Sequence, residues 1–294
     1  MFLSGGSLAA VADRVRDSDG LLDLDFWVDS RAQLERASVF SGPARLVDIY
    51  HGNGRRLRME ATGLTRRRLS VPPERASWLP GEEHAQLAAD VVSLVDRAIP
   101  VLPESHVRAG RILRSDDVGS VLARGFGPRF DDESRGGPWL ADIAGRLGDA
   151  LSSVAGIPRN LPPKASCDAL VVDGSGRLHL IDAEAPRSPE IGFAPSRATQ
   201  NLALWDTWVA ADPQAMAHLQ TVARLREGLG LCPPGTADLL SGVDAGTTTF
   251  VLVTETGVSA ALVTRLEQAA SALVGAGLLD RSRFGYRITS PDET

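Results

Sequence analysis

The chain has 294 residues, 43% of them hydrophobic, and a formal net charge of −6. That length and apolar content suit one large domain or two small ones. The acidic balance argues against broad coating of nucleic acid, leaving room for a local basic groove, and no apolar run is long enough to cross a bilayer as a helix.

The opening MFLSGGSLAAVADRVRDSDG lacks the basic and long apolar regions of a signal peptide. Cys167 and Cys232 lie far apart and make no metal-ligand spacing. They read as reduced thiols, so a cytoplasmic location is expected. Residues 21–70 read as β-rich. LLDLDFWVDS alternates in part, as a half-buried strand does, and ARLVDIYHGNGRRLRMEATG reads as a hairpin turning at Gly52-Asn53-Gly54. TRRRLSVPPERASWLPG then breaks regular structure at Pro72, Pro73 and Pro80.

A helix is expected over 82–98, with Leu87, Val91, Leu94, Val95 and Ala98 on one stripe. Residues 100–137, rich in Gly, Asp and Arg, read as irregular. The next helix, about 138–155, buries Leu140, Ile143, Leu147, Leu151 and Val154, and Pro158, Pro162 and Pro163 end it. CDALVVDGSGRLHLIDAEAP reads as two strands around a tight turn. SRATQNLALWDTWVA and PQAMAHLQTVARLREGL are helices, TTTFVLVTET is a buried strand, and VSAALVTRLEQAASALVGAG is a final helix that Gly275 and Gly277 suit at its end. The tail LVGAGLLDRSRFGYRITS looks like a helix followed by a two-stranded wing; a terminal helix and strand packing on the core is the stronger reading, and a winged-helix-like DNA contact is the alternative. The pattern is α/β, with a β-rich region over 1–80 and an α/β domain over 81–294.

The hairpin at 167–186 carries acids where core residues belong. A turn at Gly174-Ser175-Gly176 pairs Val172 with Leu178, Leu170 with Leu180 and Asp168 with Asp182. Side chains alternate along a strand, so Asp168, Asp182 and Glu184 share one face at the open end of the hairpin. Opposed like charges destabilise a sheet, and buried carboxylates without partners cost more. A divalent metal is one compensation, since Mg²⁺ is held by one or two carboxylates plus water and phosphate oxygens. Solvation of that end of the hairpin is the other.

Asp168, thirteen residues, then Asp182-Ala183-Glu184 resembles the PD-(D/E)XK nuclease-like superfamily. The resemblance covers roughly residues 138–255. It implies a restriction-endonuclease-like core, a mixed central sheet flanked by helices. It further implies Mg²⁺ or Mn²⁺ held by Asp168, Asp182 and the Ala183 backbone carbonyl, with Glu184 orienting water or serving a second metal. Gln200 in SRATQNLALW matches a glutamine that recurs in the following helix. Glu184 stands where the family's motif has lysine, and Cys167 stands where it has proline. Lys164, the only lysine of the chain, is the nearest cation to replace the missing charge; a solvated loop lysine is its bland alternative. For Gln200 that alternative is a surface residue near a helix start.

Three readings follow. The first is a metal-dependent nuclease that hydrolyses phosphodiester bonds, of DNA in the first instance, in defence or repair. It calls for three convergent carboxylates in a cleft. The second is an inactive nuclease-like module that binds nucleic acid or a protein partner, a second copy of the chain included. It calls for carboxylates spread apart or paired with arginine, Arg187 and Arg197 being nearest. The third is an unrelated α/β scaffold whose Asp168 and Asp182 are not neighbours. Arg55-Arg56-Leu57-Arg58 and Arg66-Arg67-Arg68 are basic clusters able to track a nucleic-acid backbone or to guard a strand edge. Asp142 and Asp149 read as surface charges, and Glu82 and Glu83 suit a helix start. There is no P-loop, dinucleotide fingerprint or zinc spacing.

Overall fold

The computed structural model describes residues 7–18, 20–28, 34–52, 56–69, 84–113, 119–126, 133–157 and 166–289. The chain is a mixed α/β protein with an antiparallel sheet and a mixed sheet, each packed with helices.

Helix α1 (Ser7–Arg16) precedes strands β1 (Asp23–Val28), β2 (Leu34–Ser41), β3 (Ala44–Gly52) and β4 (Arg56–Ala61). These four strands form one antiparallel sheet in chain order. Helices α2 (Gly63–Leu69) and α3 (His84–Ala98) follow. Leu24, Phe26, Val39, Val47 and Ile49 are buried on one face of the sheet. They pack with Leu8, Val11 and Val15 of α1 and with Leu87, Val91, Leu94 and Val95 of α3. The period of two in the strands thus meets the period of three to four in the helices. The basic run that ends in Arg66-Arg67-Arg68 lies within α2, so regular structure continues to Leu69. Residues 70–83, which hold Pro72, Pro73, Pro80, Glu82 and Glu83, are outside the described residues, as are 53–55 of the GNG turn.

The stretch read as irregular contains a helix, α4 (Glu104–Ile112), and a strand, β5 (Ser120–Arg124). Helix α5 (Glu133–Ala150) leads to the hairpin strands β6 (Ala169–Val172) and β7 (Leu178–Glu184). Helices α6 (Ala194–Ala211), α7 (Ala215–Gly228) and α8 (Thr236–Leu239) connect to β8 (Thr249–Glu255), and α9 (Ala260–Gly275) connects to β9 (Phe284–Thr289). The second sheet runs β5-β6-β7-β8-β9. Strands β5, β6 and β7 pair antiparallel; β7, β8 and β9 pair parallel.

Both faces of this sheet are covered. Leu170, Val172, Leu178, Leu180, Phe250 and Leu252 pack toward α5, α6 and α9. Ala169, Val171, Ile181, Ala183, Val251 and Val253 pack toward Ala109, Ile112 and Leu113 at α4. Strands buried on both faces read as continuous apolar runs, which is why ALVV and FVLV lack alternation. Trp205 is fully buried, donates through Nε1 to the Ala245 carbonyl at 2.9 Å and meets Trp208 edge-on at 5.4 Å.

Candidate functional site

The hairpin turn forms as its glycines require. Asp173 N–H donates to the Arg177 carbonyl at 3.0 Å, and Gly176 takes the left-handed conformation with φ 81°. The register is Val172 with Leu178 and Leu170 with Leu180. Asp168 N–H donates to the Ile181 carbonyl at 2.8 Å, so the pairing runs on past β6. Asp168 Oδ2 accepts the Ala183 N–H at 2.9 Å across the hairpin.

Asp182, fully buried, meets a cation from the neighbouring helix. Arg197 of α6 lies with Nε 2.8 Å from Asp182 Oδ2. Its Nη1 donates to Glu184 Oε1 at 2.7 Å and lies 3.5 Å from Glu190 Oε2. Arg197 is itself only 5% exposed. Burial alone would disfavour its charge, but Asp182 and Glu184, with Asp168 behind them, outweigh burial and hold the guanidinium protonated more firmly than a free arginine. Arg187, the other candidate partner, is exposed.

Helix α6 explains how the arginine gets there. Its residues 194–202 are all buried, although the segment contains Ser196, Arg197, Thr199, Gln200 and Asn201. Several of these polar side chains turn back onto the helix. Thr199 Oγ1 donates to the Pro195 carbonyl at 3.1 Å, and Asn201 Nδ2 donates to the Arg197 carbonyl at 2.9 Å. Such back-bonding satisfies a polar group inside a helix without a tertiary partner. Ala194 and Ala198 let the helix approach the sheet closely. Gln200 is buried on α6, with Nε2 3.4 Å from the Ser196 carbonyl. Lys164 lies outside the described residues.

The donor set does not fit a metal in this arrangement. Asp182 Oδ2 and Glu184 Oε1 are turned to the guanidinium and Asp168 Oδ2 to a backbone amide. Among the described residues, no three Cys, His, Asp or Glu side chains are grouped to hold a metal ion. The arrangement neutralises buried acids; it does not present them to a ligand.

Two further polar clusters escaped the reading of the sequence. Asp23 of β1 accepts from Arg124 Nε of β5 at 2.7 Å and from Arg226 Nη2 of α7 at 2.7 Å. Arg226 also donates to the Leu24 carbonyl at 2.5 Å. Burial works against the Asp23 charge, but the two guanidinium groups outweigh it and hold the carboxyl below its usual range. The sequence signal was the acid alternation in LDLDF, where Asp23 and Asp25 share a strand face. The second cluster is at the hairpin turn. His179 Nδ1 lies 2.7 Å from Thr249 Oγ1, and Nε2 lies 3.0 Å from Asp173 Oδ2.

That order of groups resembles a nucleophile, a base and an orienting acid. Acyl chemistry also needs amide donors for an oxyanion. The nearby Gly246, Thr247 and Thr248 amides already donate to Asp244 and Ala245. The array therefore fixes the imidazole between two strands. Cys167 is a buried free thiol, and Cys232 is a half-buried one. Asp142 and Asp149 are exposed on α5. A groove of about 710 Å³ between residues 153–155 and α9, lined by Ser153, Thr264, Gln268 and Ser271, contains none of these charged clusters. No helix of the described residues is long and apolar enough to cross a membrane. No family model, no curated protein and no solved structure matches the chain.

Proposed function

We propose that the chain is a nuclease-like α/β module that binds nucleic acid, DNA in the first instance, without hydrolysing it. The carrying observation is Arg197, whose guanidinium sits on Asp182 and Glu184 where a metal-dependent site needs their oxygens. Moving Arg197 aside for a hydrated ion would leave a buried guanidinium without its partners, a loss of several kcal/mol. The binding side of the reading is supported by Arg67 and Arg68, exposed on α2, and by Arg45, exposed on β3. Thr62, ahead of α2, donates to the Arg45 carbonyl at 2.5 Å, so these cations share one end of the antiparallel sheet. Arg67 and Arg68 are exposed cations on an acidic chain, suited to phosphate contacts, while Arg45 also lies 3.6 Å from Asp48 Oδ1.

The test is calorimetric titration of the full chain with Mg²⁺ and Mn²⁺, alongside a DNA cleavage assay and salt-dependent DNA binding. The expected result is no metal uptake, no cleavage, and binding that weakens with salt and with Arg67→Gln/Arg68→Gln.

A second reading is favoured by the convergence of Asp168, Asp182 and Glu184 on one side of the hairpin. It is the divergent PD-(D/E)XK-type nuclease that uses Mg²⁺ or Mn²⁺. Metal uptake that Asp182→Ala abolishes, together with cleavage, would put this reading in place of the first.

A further inference from the structure

Strand β9 is the last strand of the mixed sheet, and no strand of the described residues pairs with its outer side. The opposite edge, β5, packs against β1 of the other sheet. On β9, Tyr286 is 36% exposed, Ile288 is 48% exposed, and Arg287 between them is exposed. Natural edge strands are blunted by charged side chains, by proline, by a bulge or by a covering element. FGYRIT has no lysine or proline and a single charge, Arg287, and its pairing with β8 is regular from Phe284 to Thr289.

The direction of its backbone groups follows from the ladder. Thr256 N–H donates to the Thr289 carbonyl at 3.0 Å. In a parallel pair, the residue that bonds inward does so with both N–H and C=O, and the next points both outward. Gly285, Arg287 and Thr289 therefore face β8, and Phe284, Tyr286 and Ile288 face away. Arg281 Nη1 donates to the Phe284 carbonyl at 3.2 Å, in keeping with that carbonyl pointing outward. The Phe284 amide donates to the Arg281 carbonyl, so the groups left for another strand are those of Tyr286 and Ile288.

We propose that β9 is a homodimerisation edge, on which a second copy of this chain pairs β9 antiparallel about a two-fold axis at Tyr286. Side-chain complementarity points to a second copy. Opposed residues of an antiparallel pair lie on the same face. Centring the axis on Tyr286 places Tyr286 opposite its own copy and Phe284 opposite Ile288. Arg287 then faces Gly285, and no like charges meet. Centring the axis on Arg287 would oppose two arginines. The Tyr286 axis also pairs the outward N–H and C=O of both Tyr286 residues reciprocally. The product is one continuous sheet through both protomers, a mode of association seen in strand addition.

The test is the mass of the full chain by sedimentation over a concentration series, with three variants. Tyr286→Pro removes an outward N–H and keeps the bonds to β8, since proline is tolerated where the amide faces solvent. Ile288→Lys places a charge at the edge without touching the backbone. In Tyr286→Cys the two sulfurs would face each other, because opposed Cα atoms of a hydrogen-bonded pair lie about 5.5 Å apart, within disulfide reach. The wild type is expected to rise from 31.2 kDa toward twice that mass. Ile288→Lys and Tyr286→Pro should stay at one chain with unchanged circular dichroism, and Tyr286→Cys should cross-link where wild type and Arg287→Cys do not. If Tyr286→Pro loses its fold, Ile288→Lys and the cross-link decide. A one-chain mass throughout, or a dimer that Ile288→Lys leaves intact and Tyr286→Cys does not trap, overturns the proposal.

Discussion

Arg197 shows what one side chain decides. Asp182 and Glu184 are two residues apart on a strand and therefore on one face, a placement that repels unless a cation joins them. Arg197 approaches from α6 and binds both, with Glu190 adding a longer contact. A buried pair of this kind is a weak source of net stability, yet removing one partner is expensive. Arg197→Met should lower the unfolding free energy by about 3–5 kcal/mol, because it strands the buried Asp182 and the partly buried Glu184. Replacing Asp182 by Leu and Glu184 by Gln in that background should restore much of the loss, as apolar or neutral groups need no counter-charge. Urea unfolding of the single and the triple variant checks both statements. If Arg197→Met alone is neutral, the arginine does not hold this cluster together.

At the scale of elements, the β6–β7 hairpin was readable because its cues are local. The turn Gly174-Ser175-Gly176 sets the register, and Asp173 Oδ1 secures it by accepting from Ser175 N–H at 2.9 Å and Arg177 N–H at 2.9 Å. Gly176, at φ 81°, holds a conformation that side-chain-bearing residues reach at a cost. An added Cβ would also stand 3.1 Å from the Leu239 carbonyl oxygen. Gly176→Ala should therefore destabilise by about 1–2 kcal/mol, which thermal unfolding will measure. Strand β5 was not readable in the same way. SVLAR is five residues of mixed character between segments rich in Gly, Asp and Arg, and it becomes a strand through pairing with β6. Helix α4 was hidden for the same reason: its apolar side is short, and Ala109 and Ile112 gain a partner only when the second sheet lies beneath them.

At the scale of the whole molecule, the two sheets are joined through charge as well as apolar contact. Asp23 of the first sheet binds Arg124 of the second sheet and Arg226 of α7. Asp25, 1% exposed on the same strand face, is pushed up to about 7 by burial, with Arg226 opposing and Asp23 adding to the rise. Between its ordinary value of 3.8 and about 7, the folded chain keeps a proton on Asp25 that the unfolded chain has released. Stability from this group is therefore greatest at low pH and falls as pH rises through that window, by at most about 4 kcal/mol. Asp23 acts in the opposite sense: its carboxyl is held low, so its contribution is present above 3.8 and lost as pH falls further. Asp25→Asn should flatten the decline in stability between pH 4 and 7, read as urea midpoints at several pH values. An unchanged slope would show that Asp25 does not titrate in the fold.

The sequence by itself determined the α/β class, the long helices, the buried strand β8 and the hairpin with its acids on one face. Each of these rests on contacts within a few residues or on a periodicity that a single segment displays. The tertiary structure alone decided what the acids meet. Arg197 stands thirteen residues from Glu184 in the chain, and Arg226 stands 203 residues from Asp23. A carboxylate's charge is visible in the sequence, but its partner is chosen by which helix packs over it. The same holds for the outer edge of β9, whose residues are ordinary strand formers until the order of the sheet places them last among the described strands.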